Sequence, residues 1–396
     1  MGVLTAAGEL VLRRRYFWGK KAGGLYPSDQ KAGIDGPCGA VTAGARELCC
    51  VMGLSCDFRT SAANLKRVGG LCVCRERLRQ IVEAEAATAT AMRDGGLLSA
   101  SWSARHDALE KGRLYAGVDG LLVRTITQGE KDKRRRRTQA ARRQRSKAAK
   151  TENKAKARGA EPRPLPAPRP GTDQAFKEVK FGVFYDQPKD RRHAVVSAGD
   201  AAELGRLLRC HAAQVGIGHA RQTVALTDGA PWIARQLSVN LPMLTAHVLD
   251  FYHLAQHVHA AANGCLGEGT PAARQWAQVR LSEVKRGGAP PVLEAIDALV
   301  KVVRRSPDKR EELRRLRGYV AERTAMIDYP QFKRRGWDVG SGPTEAAGKD
   351  MAARVRGVGM KWDLDHAADL MNLKALYESG QAEPYWAARS GGAGLN

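Results

Sequence analysis

No stretch of this 396-residue sequence approaches the roughly 20 uninterrupted apolar residues that a membrane-spanning helix needs. A secretory leader is also missing: the short apolar run within Met1–Arg15 has its arginines after it, the reverse of a signal peptide. Both absences point to a chain that stays in a reducing cytoplasm without a membrane partner. Acidic residues are in short supply, 41 Asp and Glu against 65 Lys and Arg, which leaves a formal net charge of +24. An excess that large calls for a polyanionic partner, and nucleic acid is the commonest one. Cysteine pairs with zinc spacing are lacking too. Six of the eight cysteines (Cys38, Cys49, Cys50, Cys56, Cys72, Cys74) precede residue 80, but they are adjacent, six apart or C-x-C, and no histidine precedes His106. A structural zinc site needs two C-x-x-C-like pairs, so buried free thiols are the simpler expectation and zinc the alternative.

What is present divides the chain by composition. Residues 1–36 are basic and Gly-rich, with an alternation over Glu9–Tyr16 that reads as a strand. Residues 37–112 read as short helices, with Leu48 and Met52, then Ala62, Ala63 and Leu65, then Leu78, Ile81 and Val82 at helical spacing. Gly69-Gly70 parts two of those helices, giving the outline of a helix-turn-helix DNA-binding region. Over 113–253 the pattern becomes three strands, helix, strand, helix, strand, helix: Leu114–Val118, Phe176–Tyr185, His193–Ser197, Ala201–Val215, Thr223–Thr227, Trp232–Leu237 and Leu244–Leu249, then a helix. That is the order of an RNase H-like α/β domain with a mixed five-stranded sheet. It is interrupted at 130–175 by a basic arm and a Pro-rich linker. Residues 131–158 hold fourteen Lys or Arg, including Arg134, Arg135, Arg136 and Arg137, against Asp132 and Glu152. With almost nothing apolar to bury, the arm should be mobile or a lone helix. Residues 254–335 read as a helical insertion with Val292, Ile296, Leu299 and Val300 on one face. Residues 336–380 resume the core, and 381–396 read as a tail.

Three acids stand where a two-metal site would need them. Asp119 follows the first strand, Asp228 follows the fourth, and Glu345 sits near a helix start prepared by Ser341-Gly342-Pro343. Neighbouring first and fourth strands would bring the two aspartates together, and a later helix would supply the third acid. Oxygen donors of that kind suit two Mg²⁺ (or Mn²⁺) ions, which stabilise both oxygens of an in-line phosphoryl displacement. Each acid taken singly is more often a turn or cap residue, since Asp-Gly after a strand is also a turn signal. His253 and His257 are four apart on a helix, but Leu254 stands where H-E-x-x-H has Glu, which excludes a metalloprotease.

Four blocks in fixed order carry a resemblance: Asp228-Gly-Ala-Pro-Trp-Ile233, Leu249-Asp250-Phe-Tyr-His253-Leu-Ala-Gln-His257, Gly340-Ser-Gly-Pro-Thr-Glu345-Ala-Ala-Gly-Lys349 and Arg356-Gly-Val-Gly-Met360-Lys-Trp362. From about Gly8 to about Ser379 the chain resembles bacterial insertion-sequence transposases of the ISKra type, within the wider Mutator-like and hAT-like set. The resemblance implies an RNase H-like catalytic domain with a helical insertion, catalytic and metal-binding Asp119, Asp228 and Glu345, and an accessory Asp250-x-x-His253. In related elements an insertion-domain Trp stacks on an unpaired base, a role that would fall to Trp276; core packing is the competing expectation. Lys349, Arg354 and Arg356 would contact phosphate, or form a solvated basic face. The chain departs from the family after the first strand, with Asp119-Gly-Leu-Leu-Val-Arg124 in place of Asp-Gly-Thr-Gly-Val-Pro.

The expected function is transposition, with strand cleavage at the element's inverted-repeat ends and transfer to target DNA. The expected working form is a homodimer or higher oligomer associated with the bacterial nucleoid. A remnant that binds element ends without cutting, and an RNA-binding protein dominated by the basic arm, are the competing readings.

Overall fold

The computed structural model describes residues 1–19, 23–27, 29, 34, 40–105, 112–152, 165 and 170–390. Its centre is a five-stranded mixed sheet built from β5 (Arg113–Arg124), β6 (Phe176–Asp186), β7 (Arg192–Ser197), β8 (Gln222–Thr227) and β9 (Ala246–Leu249), in the order β7-β6-β5-β8-β9. β5, β6 and β7 pair antiparallel, and β8 and β9 continue parallel to β5. Two small hairpins precede it, β1 (Gly2–Thr5) with β2 (Gly8–Val11), and β3 (Phe17–Gly19) with β4 (Gly23–Leu25). The expected strand over Glu9–Tyr16 is therefore confined to its first residues.

Both faces of the sheet are covered, which is why its strands read as nearly continuous apolar runs. Side chains alternate along β5. Leu114, Ala116 and Val118 enter one core with Leu204, Leu208 and Ala212 of α5 (Ala201–Gln214) and Ile233 and Leu237 of α6 (Pro231–Asn240). Tyr115 and Val123 enter the other, with Met351 of α12 (Gly342–Ala352) and Leu370 and Leu373 of α13 (Leu364–Glu378). The architecture is thus α/β, helices on either side of a mixed sheet.

The N-terminal helices share that second core. They are α1 (Ala43–Ser55), α2 (Phe58–Gly69) and α3 (Arg75–Asp94). Asp57 caps α2 by accepting from the Arg59 and Thr60 backbone N–H groups at 2.9 and 3.2 Å, and Gly70, at φ 65°, ends it in the left-handed region that glycine tolerates. Leu78, Ile81 and Val82 of α3 are fully buried, as their spacing implied, and α3 lies against α13. In α1, by contrast, Leu48 is exposed, and Ala45, Cys49, Cys50 and Leu54 face inward. Cys72 and Cys74 are exposed, and Cys38 lies outside the described residues.

The insertion after β9 is α7 (Phe251–Leu266), α8 (Pro271–Gly287), α9 (Pro290–Val302), α10 (Pro307–Glu322) and the short α11 (Tyr329–Arg334). A proline in the first turn starts each of the last four, where its missing N–H leaves no bond unmade. Val292, Ile296 and Leu299 form the buried face of α9, as expected. The basic arm is one helix, α4 (Gln128–Glu152), whose side chains are almost all exposed between Lys133 and Arg145. Its root is tied down: Lys131 pairs with Asp363, and Glu130 with Lys361. The Pro-rich linker falls mostly outside the described residues. The expected tail is in part a docked helix, α14 (Ala382–Ser390), with Tyr385 and Trp386 buried and the Tyr385 hydroxyl donating to Glu85 Oε1 at 2.6 Å. Among the described residues no helix is long and apolar enough to cross a membrane.

Candidate active site

Asp119 does not follow a strand, as its Asp-Gly dipeptide suggested, but stands inside β5. The strand continues because β6 pairs with it through Asp119↔Phe181 and Gly120↔Lys180 and on to Arg124↔Phe176. The parallel partner ends sooner, with Ala116 level with Ala225. Continued three residues along both strands, that register brings Asp119 level with Asp228. Likewise Thr227 pairs with Leu249, so the next residues are Asp228 and Asp250. Three aspartates therefore form a row across the carboxyl ends of the parallel half of the sheet, where open α/β sheets place their ligands.

The row is electrostatically unusual. Asp119 and Asp228 are both half-buried, and each aspartate closes on the backbone just after it: Asp119 Oδ1 accepts from Gly120 N at 2.7 Å and Asp228 Oδ1 from Ala230 N at 2.8 Å. Burial pushes the Asp119 carboxyl above the ordinary range; the Gly120 donor and the His253 ring oppose this, and the Asp228 and Glu178 carboxylates add to it. Asp250 is fully buried. Burial alone would raise it, but the His253 ring and donors from Ser341 and Tyr252 hold its carboxyl below the usual range. His253 Nδ1 lies 3.7 Å from Asp250 Oδ2. That contact comes first in raising the His253 pKa; burial opposes it, and Asp228 and Asp119 reinforce it.

Asp250 also fixes the segment that carries Glu345. Its Oδ2 accepts from Ser341 N at 3.0 Å and from the Ser341 hydroxyl, while Phe251 N donates to Val339 O at 2.8 Å. The helix α12 that follows packs on the same face of β5 as Asp119. Gly117, two residues before Asp119, has no room for a side chain because Thr344 occupies the place of its Cβ, and Gly348 is similarly pressed on Phe181. Glu345 follows Thr344 in that helix, and its carboxylate turns toward Lys349, at 3.5 Å, on the exposed side of the helix. The expected three-acid cluster is not closed. Among the described residues no three His, Cys, Asp or Glu side chains meet at one point as a metal cage would.

The helical insertion clamps the Asp228 turn from the other side. Tyr319 Oη donates to Asp228 O at 3.2 Å, Arg323 Nε donates to Gly229 O at 2.9 Å, and His257 stacks on Tyr319 with ring centroids 3.9 Å apart. Gly229 is required here: its φ is +73°, and a Cβ would strike Leu249 and Arg323. Nothing in the sequence singled out Tyr319 or Arg323, whose partners lie more than ninety positions earlier in the chain.

The expected DNA contacts separate. Lys349 and Arg356 are exposed, as are Arg134, Arg136 and Arg137 on α4; Arg135 is half-buried and donates to Leu165 O at 3.0 Å. Arg354 is not a solvated phosphate contact. It is 5% exposed, donates from Nε to Gly53 O at 2.7 Å and lies over the rings of Phe58 and Trp362 at 4.3 and 5.0 Å, tying α1 and α2 to the core. Trp276 is half-buried against the insertion core, with the Arg280 guanidinium 5.7 Å from its ring centroid. Comparison with protein-family models and with curated proteins finds no match to this chain.

Proposed function

We propose that the chain is a divalent-cation-dependent DNA strand-transfer enzyme of the RNase H-like, Asp-Asp-Glu class, the transposase of an insertion sequence. One observation carries the reading: half-buried Asp119 in β5 and half-buried Asp228 just past the end of parallel β8 lie within electrostatic reach of each other, and the helix packed on β5 holds Glu345 in its first turn. Two carboxylates held that close, one of them pushed up by burial and by its neighbour, oppose each other until a cation lies between them. Their hard oxygen donors fit Mg²⁺ or Mn²⁺, which retain water and need few protein ligands. A pair of such ions supplies charge stabilisation to the attacking and leaving oxygens of phosphodiester displacement.

The residues have separate duties in this reading. Asp119 and Asp228 hold the ions, and Glu345 joins them when its carboxylate leaves Lys349. Asp250 and Ser341 set the position of the helix that carries Glu345, and His253 pairs with Asp250 beside the row. Tyr319 and Arg323 hold the Asp228 turn in place. The exposed arginines of α4, together with Lys349 and Arg356, draw in the phosphate backbone of element ends and target, and the helices α2 and α3 act as the helix-turn-helix. Joining two ends requires two copies of the site, hence a homodimer or larger assembly on nucleoid DNA. A second reading, a DNA-binding remnant that does not cut, draws on the Glu345–Lys349 pair.

Incubating the protein with DNA carrying its own flanking sequence tests the proposal. Nicks should form at the element ends with Mg²⁺ or Mn²⁺ and cease when EDTA is added. Tight binding with no nicks under either metal favours the remnant.

A further inference from the structure

A cavity of about 780 Å³ lies where α2, α3, the root of α4 and the segment 354–366 meet. Acids and bases both line it, but the acids are already engaged. Asp57 caps α2, Glu76 and Glu83 are paired with Arg79, and Asp363 is paired with Lys131. Lys361 on the same wall is paired with Glu130, and four further cations line the space, Arg59, Arg75, Arg134 and Arg354; among the described residues none of these four makes an ion pair with a carboxylate. Arg354 is the most telling. The residue is 5% exposed, and burial pulls its pKa down against the opposing pull of the Asp57 and Glu83 carboxylates.

The same wall is aromatic. Phe58 and Trp362 meet edge-on at 6.2 Å, and the Arg354 plane lies against both. Guanidinium planes and aromatic rings are the surfaces on which nucleic-acid bases stack, and arginines at the rim suit phosphate. A nucleotide combines the two chemistries in one residue of suitable size.

We propose that this cavity is a binding pocket for a single nucleotide, with its base against the Phe58–Arg354–Trp362 wall and its phosphate among Arg59, Arg75 and Arg134. The pocket is separate from the aspartate row. Trp362 N donates to Arg124 O at 3.1 Å, five residues beyond Asp119 on β5, a distance of about 17 Å at a strand rise of about 3.4 Å per residue. Occupancy therefore requires neither the carboxylates nor a metal, so the proposal stands or falls independently of the strand-transfer reading. The nucleotide is either free in solution or one residue of a single strand leading toward the sheet.

Calorimetric titration of the full chain in EDTA, at fixed ionic strength, distinguishes these. The probes are deoxyadenosine 5′-monophosphate, inorganic phosphate, deoxyadenosine and a short single-stranded oligonucleotide. The monophosphate should bind once per chain, at least tenfold more tightly than phosphate or deoxyadenosine. Arg59→Ala/Arg75→Ala, at two exposed rim positions, should weaken it tenfold or more. Arg206→Ala/Arg209→Ala, which removes equal charge from exposed positions of α5, should leave it within twofold. An oligonucleotide that blocks the monophosphate identifies a strand residue as the occupant, and one that does not identifies a free nucleotide. Absence of monophosphate binding, or equal weakening by both double variants, overturns the proposal.

Discussion

Burial favours the neutral acid at Asp119, whereas the proposed metal site needs it ionised, and those two demands conflict. A carboxyl whose folded pKa is raised contributes stability in its protonated form, present at low pH and lost as pH rises through that pKa, so at neutral pH the ionised group is a cost. Asp119→Asn should therefore raise the melting temperature by about 1–3 °C in EDTA at pH 7.5 while removing the stabilisation that Mg²⁺ gives the natural protein. Thermal scans with and without Mg²⁺ check both halves; a melting temperature lowered in EDTA would show that no like-charge cost exists. Ser341→Ala removes the hydroxyl that donates to buried Asp250 but leaves the backbone donors of Ser341 and Tyr252 in place. Loss of one hydrogen bond to a buried charge costs about 1–3 kcal/mol. The nicking rate should drop about tenfold or more with DNA affinity unchanged in a gel shift, since only the placement of Glu345 is disturbed.

Among the helices, α10 holds the Asp228 turn without contributing an acid to the proposed site. Tyr319→Phe deletes the donor to the Asp228 carbonyl but keeps the ring against His257. The expected result is a several-fold slower cleavage step with DNA affinity intact, read in single-turnover nicking beside a gel shift; equal slowing and weakening would assign Tyr319 to the DNA surface instead. The helix α4 has the complementary role. Thr127 and Thr172 are bridged, and Gln128 N donates to Thr172 O at 2.9 Å, so its root and its return lie side by side. Replacing residues 133–169 by a short turn should weaken duplex DNA binding and flatten its salt dependence, because each phosphate contact contributes a slope of about 0.9. An unchanged slope would show that α4 does not meet the backbone.

These elements also show what local sequence reveals. The period-two strands, the α9 face and the charged arm were legible because neighbouring residues alone produce those patterns. The reach of β5 through Asp119-Gly120 was not, since it depends on β6, more than fifty residues away. Nor were the inward turn of Cys49 and Cys50 in place of Leu48, the docking of α14 on Glu85, or the burial of Arg354, each decided by a distant partner. At the site, Asp228 and Glu345 were legible as residues beside turn and cap signals. The i,i+4 spacing of Glu345 and Lys349 was legible too, whereas the Tyr319–Asp228 clamp, between residues 91 positions apart, was not.

Across the whole molecule, buried histidines make stability depend on pH. His193 and His211 face each other at 2.7 Å, and burial pushes them down to about 3 and about 4. They are neutral in the folded protein but ordinary bases, near 6.5, once unfolded. Stability from this pair is therefore complete above pH 6.5 and lost as pH falls toward 4, each group removing about 1.4 kcal/mol per pH unit. Urea midpoints measured from pH 7 to pH 4.5 should fall steeply, and His211→Gln should flatten the fall; a profile independent of pH would contradict the buried neutral pair.

Strand transfer, as proposed, divides the molecule: the carboxylate row performs phosphodiester chemistry while the basic surface binds DNA. It is tested most directly by the Mg²⁺-dependent nicking rate of Asp228→Asn on DNA carrying the flanking sequence, with affinity measured on the same preparation. The account expects cleavage to fall by about a thousandfold or more, since a ligand to both charge and metal is gone. Affinity should hold or tighten, since one negative charge has left the DNA-facing side. Full cleavage by Asp228→Asn would contradict the account and leave the chain a DNA-binding protein whose aspartates only shape a turn.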